Sequence, residues 1–383
     1  MVKPSGNKVI DDFIRETQIS FVKMEGKLEF VPYEQFKNVE FIAEGGFSKI
    51  YKATWIDGPI KSYRNYNSKK EIRLNNYTVV LKKLNNSKSI TSKELNELKI
   101  FYNFSSKWKA WIGYNSHISK YFGITQDPIT QDTTIIMPYY DSGDLIYYIT
   151  NNFYNASWYE KLKNLRKIII GLANMHSVNI MHRDLHSGNI LFNEVDAVIS
   201  DLGISKAAVE SSDDGNEIYG NIPYIAPEIF DRQKYTKASD VYSFGMIMWE
   251  LMTGRRPFWD QNHDIYLIIE ICDGLRPPIV TNAPEGYTGL MKECWNPDPK
   301  RRPNATSICN KIDKISSRSQ SISSESIKSN SLYYYQKNDE ILTGKRKLEN
   351  NLSNLIDGQS TKRKKSSDND TRYITKELGF EQH

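Results

Sequence analysis

The sequence His182-Arg183-Asp184-Leu185-His186-Ser187-Gly188-Asn189 is the stretch that decides how this chain folds. Twelve residues after its asparagine comes Asp201-Leu202-Gly203, and Ala226-Pro227-Glu228 follows. Two aspartates and an asparagine, Asp184, Asn189 and Asp201, therefore lie within a short segment of the chain. Carboxylate and amide oxygens are the ligands that a hard cation such as Mg²⁺ prefers, and a carboxylate can also accept a proton from a hydroxyl group.

These motifs give the chain a family resemblance. From about Val39 to Ile312 it resembles a eukaryotic protein kinase domain, most similar to the tyrosine-kinase-like group of serine/threonine kinases. Several motifs in the family's order support one another more than a single tripeptide would. The resemblance implies ATP and Mg²⁺, with Asp184 accepting the proton of the substrate hydroxyl and with Asn189 and Asp201 as metal ligands.

The bulk properties exclude several other classes of protein. A length of 383 residues exceeds one ordinary core and fits two lobes plus a tail. Three cysteines without a paired spacing support neither a disulfide framework nor a zinc site. No apolar run approaches the roughly 18 residues of a membrane span, and the N-terminus lacks a signal core. We expect a cytoplasmic protein without a membrane partner. The net charge of +5 does not call for a nucleic-acid partner.

The resemblance implies an α+β fold with a small β-rich N-lobe and a larger helical C-lobe. We predict an N-terminal extension over residues 1–37, the N-lobe over 38–140 and the C-lobe over 141–315. Residues 316–383 are rich in serine and poor in apolar residues, which predicts a disordered tail. Its basic clusters at 345–347 and 362–365 suggest binding to import factors and entry into the nucleus, with nucleic-acid binding as the alternative.

A glycine-bearing turn around Gly45 precedes the strand that carries Lys82. Family positions that approach the nucleotide correspond to Ala43, Gly45, Ser48 and Ile50, and only the central glycine of the family pattern is retained. An ordinary hairpin turn would look similar. The strand that follows, Val79-Val80-Leu81-Lys82, favours the nucleotide-binding interpretation.

Period-two alternation places Val80 and Lys82 on one face of this strand and Lys83 on the other. The resemblance makes Lys82 the phosphate-binding lysine, with Val80 beside the adenine, and Lys83 is expected to be a solvated charge. Glu97 matches the family's partner of that lysine. Glu94, one turn earlier on the predicted helix, is the alternative.

Further family positions extend the candidate nucleotide site. Met137 would guard the back of the pocket, Tyr140 would offer backbone groups to adenine, and Asp144 could bond the ribose. Leu191 is a further candidate nucleotide-binding residue. Met137 and Tyr140 are equally compatible with core filling.

Several other motif residues are interpreted as structural. His182 resembles a buried, hydrogen-bonded histidine and Asp240 an anchor of the catalytic loop. Glu228 and Arg302 resemble a buried ion pair that ties the end of the activation segment to the lower lobe.

Two departures bear on the substrate. His186 and Asn221 stand where serine/threonine kinases usually carry lysine and threonine. We predict His186 to be a catalytic residue whose protonated form stabilises the transferring group, with a neutral, loop-bonded imidazole as the alternative. Glu217 is a candidate partner of Arg183. We expect transfer to serine or threonine, with tyrosine as a further acceptor; the rival is a pseudokinase that binds nucleotide or a partner without transfer.

Overall fold

The computed structural model describes most of the chain up to Ser319. The described residues are 4–19, 27–46, 48–63, 71–88, 95–108, 115–193, 196–203, 205–207, 220–279 and 283–319. The predicted tail from residue 320 onward lies outside them.

The smaller lobe is built on a six-stranded sheet in the order β1-β7-β8-β6-β3-β2. Its strands are β1 (Glu29–Phe30), β2 (Phe36–Glu44), β3 (Ser48–Trp55), β6 (Tyr77–Leu84), β7 (Gly123–Gln126) and β8 (Thr133–Pro138). All neighbours are antiparallel except β1 and β7. A separate hairpin, β4 (Ile60–Tyr63) and β5 (Glu71–Arg73), occupies the connection between β3 and β6.

Alternation along the strands separates two packed faces. Val79 and Leu81 of β6 are buried in a small cluster with Ala53, Trp55 and Ile136. Val80 faces the opposite way and packs against the main core. Lys82, two residues further along the strand, faces the same side as Val80. The predicted facing of Val80 and Lys82 is therefore confirmed.

Two helices cover the sheet on the side of the main core. Helix α2 (Asn96–Lys107) buries Leu98 and Phe101 there. Helix α1 (Lys8–Ile19) buries one amphipathic stripe, Ile10, Phe13, Ile14 and Thr17, and the Phe13 ring meets the Tyr102 ring of α2 edge to face.

The N-lobe sheet begins earlier than the sequence suggested. Because β1 pairs with β7 and β2 starts at Phe36, structured elements of this lobe occupy part of the predicted extension 1–37.

The larger lobe is helical. Its helices are α3 (Leu145–Asn152), α4 (Trp158–Ser177), α5 (Pro227–Phe230), α6 (Lys237–Thr253), α7 (Ile265–Cys272), α8 (Tyr287–Cys294) and α9 (Ala305–Ser319). Short strands β9 (Ile180–Met181), β10 (Ile190–Phe192), β11 (Ala197–Ile199) and β12 (Lys206–Ala207) frame the loops between α4 and α5. The predicted α+β, two-lobed architecture is confirmed.

Local signals fix the ends of the central helices. A capping box of Ser157 and Glu160 starts α4, and Thr236 with Ser239 does the same for α6. Gly254 ends α6 in the left-handed conformation, with φ of 74°. Nearly every residue of α6 is buried, which makes it the central helix of this lobe.

Helix α9 packs against α4 and extends past residue 315, the predicted end of the C-lobe. The helix continues to Ser319, and Arg166 of α4 pairs with Asp313 of α9. Serine content alone did not end the helix, since its apolar face remains anchored, with Ile308, Ile312 and Ile315 buried. In the described part of the chain, none of the helices combines the length and apolar character needed to cross a membrane.

Candidate active site

Lys82 lies at the centre of a three-residue ionic cluster between the lobes. Its Nζ donates to Oε2 of Glu97 at 3.0 Å and to Oδ1 of Asp201 at 2.9 Å. Glu97 comes from the first turn of α2, and Asp201 follows β11. The structure thus brings together three predicted residues from a strand, a helix and a distant loop. The alternative partner, Glu94, lies outside the described residues.

Lys82 and Asp201 keep their charges, whereas burial raises the pKa of Glu97 against the opposing effect of Lys82. Burial alone would lower the pKa of Lys82, but the carboxylates of Asp201 and Glu97 outweigh it and raise that pKa. For Asp201, desolvation favours the neutral acid, yet the ammonium of Lys82 prevails and lowers the pKa of the carboxyl. Lys82 is therefore cationic and Asp201 anionic at neutral pH, as the binding of phosphates and a divalent cation would require.

The catalytic loop holds Asp184 and Asn189 side by side. The Asn189 side-chain amide donates to the Asp184 carbonyl at 2.9 Å and approaches its carboxylate at 3.4 Å. Because that contact uses the amide nitrogen, the side-chain oxygen of Asn189 is the atom left to bind a cation. Burial opposes the ionisation of Asp184, but His186 outweighs it and lowers the pKa of the carboxyl.

Gly220 keeps space open beside that carboxylate. With φ of 120° it adopts a conformation that other residues rarely reach, and a Cβ there would lie 3.2 Å from Oδ1 of Asp184.

Asp240 of α6 anchors the backbone of this loop from below. Its carboxylate accepts from the amides of His182 at 3.0 Å and Arg183 at 2.9 Å, and His176 lies 2.8 Å away. Arg183 has φ of 72°, a left-handed conformation that costs a non-glycine residue about 1–2 kcal/mol. The hydrogen bonds from the two amides to Asp240 offset that cost. The contacts expected of an anchor for the catalytic loop are therefore present.

His182 is fully buried. Its Nε2 lies 2.9 Å from the carbonyl of Ser200, and the Asp184 amide donates to its Nδ1 at 3.3 Å. Since Nδ1 accepts, Nε2 carries the hydrogen, and the ring bridges the two segments that bear Asp184 and Asp201. This is the structural position that the sequence suggested.

His186 faces Asp184 and also closes its own loop. Its Nε2 lies 3.7 Å from Oδ2 of Asp184, while Nδ1 accepts from the Gly188 amide at 3.1 Å. Burial lowers the pKa of the imidazole, but the neighbouring Asp184 carboxylate prevails and raises it. The Gly188 contact favours the neutral tautomer, which carries its hydrogen on Nε2 toward Asp184. The bond from Gly188 matches the neutral alternative, whereas the raised pKa favours the protonated form. The role of His186 in transfer stays a prediction, which the pH dependence of the reaction tests.

Sequence reasoning missed a buried polar group beneath the catalytic loop. Ser187 donates to Oε1 of Glu250 at 2.9 Å, and the Tyr224 hydroxyl lies 3.2 Å from the Ser187 oxygen. Burial raises the pKa of Glu250 to about 7. The three residues are far apart in the sequence, so no local pattern links them. The one signal was an acidic residue, Glu250, within the apolar stretch of α6.

Glu228 and Arg302 form a bidentate pair, with two bonds of 2.7 Å between buried side chains. Arg302 also donates to the carbonyls of Asn296 and Ala238. The pairing inferred from the resemblance is present, and it ties α5 to the segment before α9.

The candidate nucleotide positions line the sheet and the connection between the lobes. Ala43 and Ile50 are paired across β2 and β3, and the Gly45 amide donates to the Ser48 carbonyl at 2.8 Å, closing the turn. Val80 is paired with Met137 across β6 and β8.

The residues after β8 have additional structural tasks. The Tyr140 hydroxyl donates to Ser119 at 3.2 Å, and Asp144 caps α3 by accepting from the Tyr147 amide at 2.7 Å. Leu191 forms an isolated bridge with Asp144, which places both beside the connection between the lobes. Their contacts with a nucleotide stay predictions.

One expectation about the lysine strand was wrong. Lys83 is not a solvated charge: it lies 2.9 Å from Asp127 and 3.9 Å from Asp132, and its side chain is only 15% exposed. The turn between β7 and β8 supplies both carboxylates, a pairing that strand periodicity could not reveal. The proposed contact between Glu217 and Arg183 lies outside the described residues because Glu217 is not among them.

Comparison with known proteins assigns the family. The family model for protein tyrosine and serine/threonine kinases matches residues 36–312, well over half of the chain. "Probable serine/threonine-protein kinase pats1" of Dictyostelium discoideum is 29% identical over 74% of this chain and 9% of its own length. "Ephrin type-B receptor 1" of Gallus gallus is 30% identical over 81% of this chain and 28% of its own length. "Probable serine/threonine-protein kinase roco6" of Dictyostelium discoideum is 30% identical over 74% of this chain.

The chain spans 28% or less of the length of these relatives. It belongs to the protein tyrosine and serine/threonine kinase family.

Proposed function

We propose that this member of the protein kinase family transfers the γ-phosphoryl group of ATP to serine or threonine hydroxyls of proteins. The observation that carries the proposal is the convergence of Lys82, Glu97 and Asp201 between the lobes, above a loop that presents Asp184 and Asn189. The pKa shifts of Lys82, Asp184 and Asp201 favour the charged forms that phosphoryl transfer requires.

The residues fit a magnesium ion. Asp201 is anionic and its side chain is 43% exposed, so it is open toward the space between the lobes. The described residues contain no cluster of three or more acidic, histidine or cysteine side chains that would form an all-protein metal cage. Mg²⁺ commonly binds through one or two carboxylates together with substrate phosphates, and Asp201 with Asn189 would hold it in this way. When bound, it would neutralise charge on the phosphates.

The chain's own residues have separate tasks. Lys82, held by Glu97, binds the phosphates. Asp184 stays ionised beside His186 and orients the acceptor hydroxyl. It takes the hydroxyl proton as the oxygen bonds to the γ-phosphorus and the bond from that phosphorus to the leaving ADP breaks. Asp240 keeps this loop in place from below.

Acceptance of serine or threonine is supported by the segment Gly220-Asn221-Ile222-Pro223-Tyr224-Ile225, which resembles the serine/threonine form, and by the names of two relatives. Transfer to tyrosine as well is compatible with the family, which includes both specificities.

Transfer of labelled γ-phosphate from Mg-ATP to a generic protein substrate tests the proposal, followed by identification of the phosphorylated amino acid. Asp184→Asn is the matched control, since it keeps the shape of the side chain and removes the proton acceptor. We expect label on serine or threonine with the parent and none with the control. A parent protein that binds Mg-ATP yet transfers nothing would support the pseudokinase alternative.

We also propose that the chain acts in the cytoplasm and that its two basic clusters, 345–347 and 362–365, bind import factors. Imaging of a fluorescent fusion with and without these lysines and arginines tests this. Unchanged nuclear and cytoplasmic signals would contradict a role in import.

A further inference from the structure

Tyr121 occupies both the core and the ionic cluster. It precedes β7, and only 2% of the residue is exposed. Its hydroxyl donates to Oε1 of Glu97 at 2.7 Å, while the other oxygen of that carboxylate accepts from Lys82 at 3.0 Å. Both oxygens of Glu97 therefore have a defined partner, and the carboxylate cannot rotate without breaking one of these bonds.

The ring of Tyr121 fixes the hydroxyl in this position. It packs against Phe101, one turn beyond Glu97 on α2, with 5.0 Å between ring centroids. Burial and the Glu97 carboxylate raise the pKa of Tyr121, and hydrogen bonding from the backbone of Leu202 opposes that rise. The side chain thus contacts α2 at two points and also meets the segment that directly follows Asp201.

Core filling by itself does not require the hydroxyl. A phenylalanine would fill the same space between Phe101 and the sheet without the cost of burying a polar atom. The hydroxyl instead bonds a carboxylate that holds the phosphate-binding lysine, and hydrogen bonds to charged groups are stronger than those between neutral groups.

We propose that Tyr121 is a positioning residue that holds Glu97, and through it Lys82, in the geometry required for phosphate binding. Without the hydroxyl, Glu97 retains one partner and gains rotational freedom. Lys82 then depends on Asp201, which is also needed for the metal. The inference rests on the proposed function, because Lys82 is taken to bind the phosphates of ATP.

Tyr121→Phe tests the role of the hydroxyl, with Tyr287→Phe as the matched control. Tyr287 is also fully buried, and its hydroxyl donates to the carbonyl of Met248 at 2.7 Å, in the helical lobe. Both variants lose a buried hydroxyl that donates a hydrogen bond of 2.7 Å. Normalised to folded protein, kcat/KM for ATP should fall about tenfold or more in Tyr121→Phe, and Tyr287→Phe should match the parent. An equal loss in both variants, or none in Tyr121→Phe, would overturn the proposal.

A double-mutant cycle with Glu97→Ala, which removes the acceptor of the Tyr121 hydroxyl, shows whether Tyr121 acts through Glu97. The readout is the dissociation constant of Mg-ATP, which does not depend on transfer. Tyr121→Phe should weaken binding about tenfold in the parent and by less than about twofold in the Glu97→Ala background. Equal weakening in both backgrounds would refute action through Glu97. A parent that binds Mg-ATP without transferring phosphate would contradict the proposed function alone, since the cycle remains measurable.

Discussion

Glu250 should make the folded state less stable as the pH rises from acid to neutral. The carboxyl is 1% exposed, and burial raises its pKa from 4.5 to about 7. Between these two values the unfolded chain has released the proton, whereas the folded chain keeps it. The stabilisation is therefore complete below pH 4.5 and is lost as the pH passes about 7, where the folded state must bury a carboxylate.

The magnitude follows from the two pKa values. A difference between 4.5 and about 7, at about 1.4 kcal/mol for each pH unit, corresponds to about 3 kcal/mol. Within the described residues, Oε2 of Glu250 is buried without a hydrogen-bond partner, and the Ser187 bond reaches only Oε1. That arrangement explains why ionisation is costly.

Denaturant unfolding at about pH 5 and about pH 8 measures this effect in the parent and in Glu250→Gln. The amide has no proton to lose in this range. Between the two pH values, the unfolding free energy of the variant should therefore decrease by about 3 kcal/mol less than that of the parent. Glu293→Gln is the control, because Glu293 lies in a solvent-exposed pair with Lys311. The same pH dependence in the parent and in Glu250→Gln would refute the reasoning.

Three further predictions concern the site and its support. Asp201→Asn should abolish the Mg²⁺-dependent part of the thermal stabilisation by ATP, whereas Asp184→Asn should keep most of it and lose transfer; phosphotransfer by the Asp184 variant would contradict the assignment. Burial opposes the protonation of His186, but Asp184 prevails and raises its pKa above 6.5, so the cationic form persists to higher pH than in a free imidazole; kcat should fall once the pH exceeds that raised pKa, and His186→Lys should flatten this limb. Matching pH profiles would show that the charge of His186 plays no part. Arg302→Met should lower the unfolding free energy by about 3–5 kcal/mol, since it leaves Glu228 buried without its partner; denaturant unfolding with a loss under about 1 kcal/mol would speak against it.

Much of the fold and of the candidate site could be predicted from local patterns. Alternation along β6 predicted that Lys82 would share the facing of Val80, because successive side chains in a strand point to opposite faces. The order and spacing of the motifs identified Asp184, Asn189 and Asp201 as candidate site residues. The ends of the outer elements are harder to predict from local patterns, because β1 is held by pairing with the distant strand β7 and α9 by packing against α4.

By itself, the sequence determined the family, the two-lobed architecture and the chemical groups that face the space between the lobes. Tertiary structure decided which of those groups meet. Tyr121 lies 24 residues from Glu97, and Lys82 lies 119 residues from Asp201, yet both pairs come within 3 Å. The residues around Lys83 in the sequence would look the same whether its side chain were solvated or paired. The ion pair forms because the turn that carries Asp127 lies beside β6 in the folded structure. Periodicity and spacing specify the facing of a side chain, whereas a hydrogen bond depends on distances of a few tenths of an ångström that the packing of the whole domain sets.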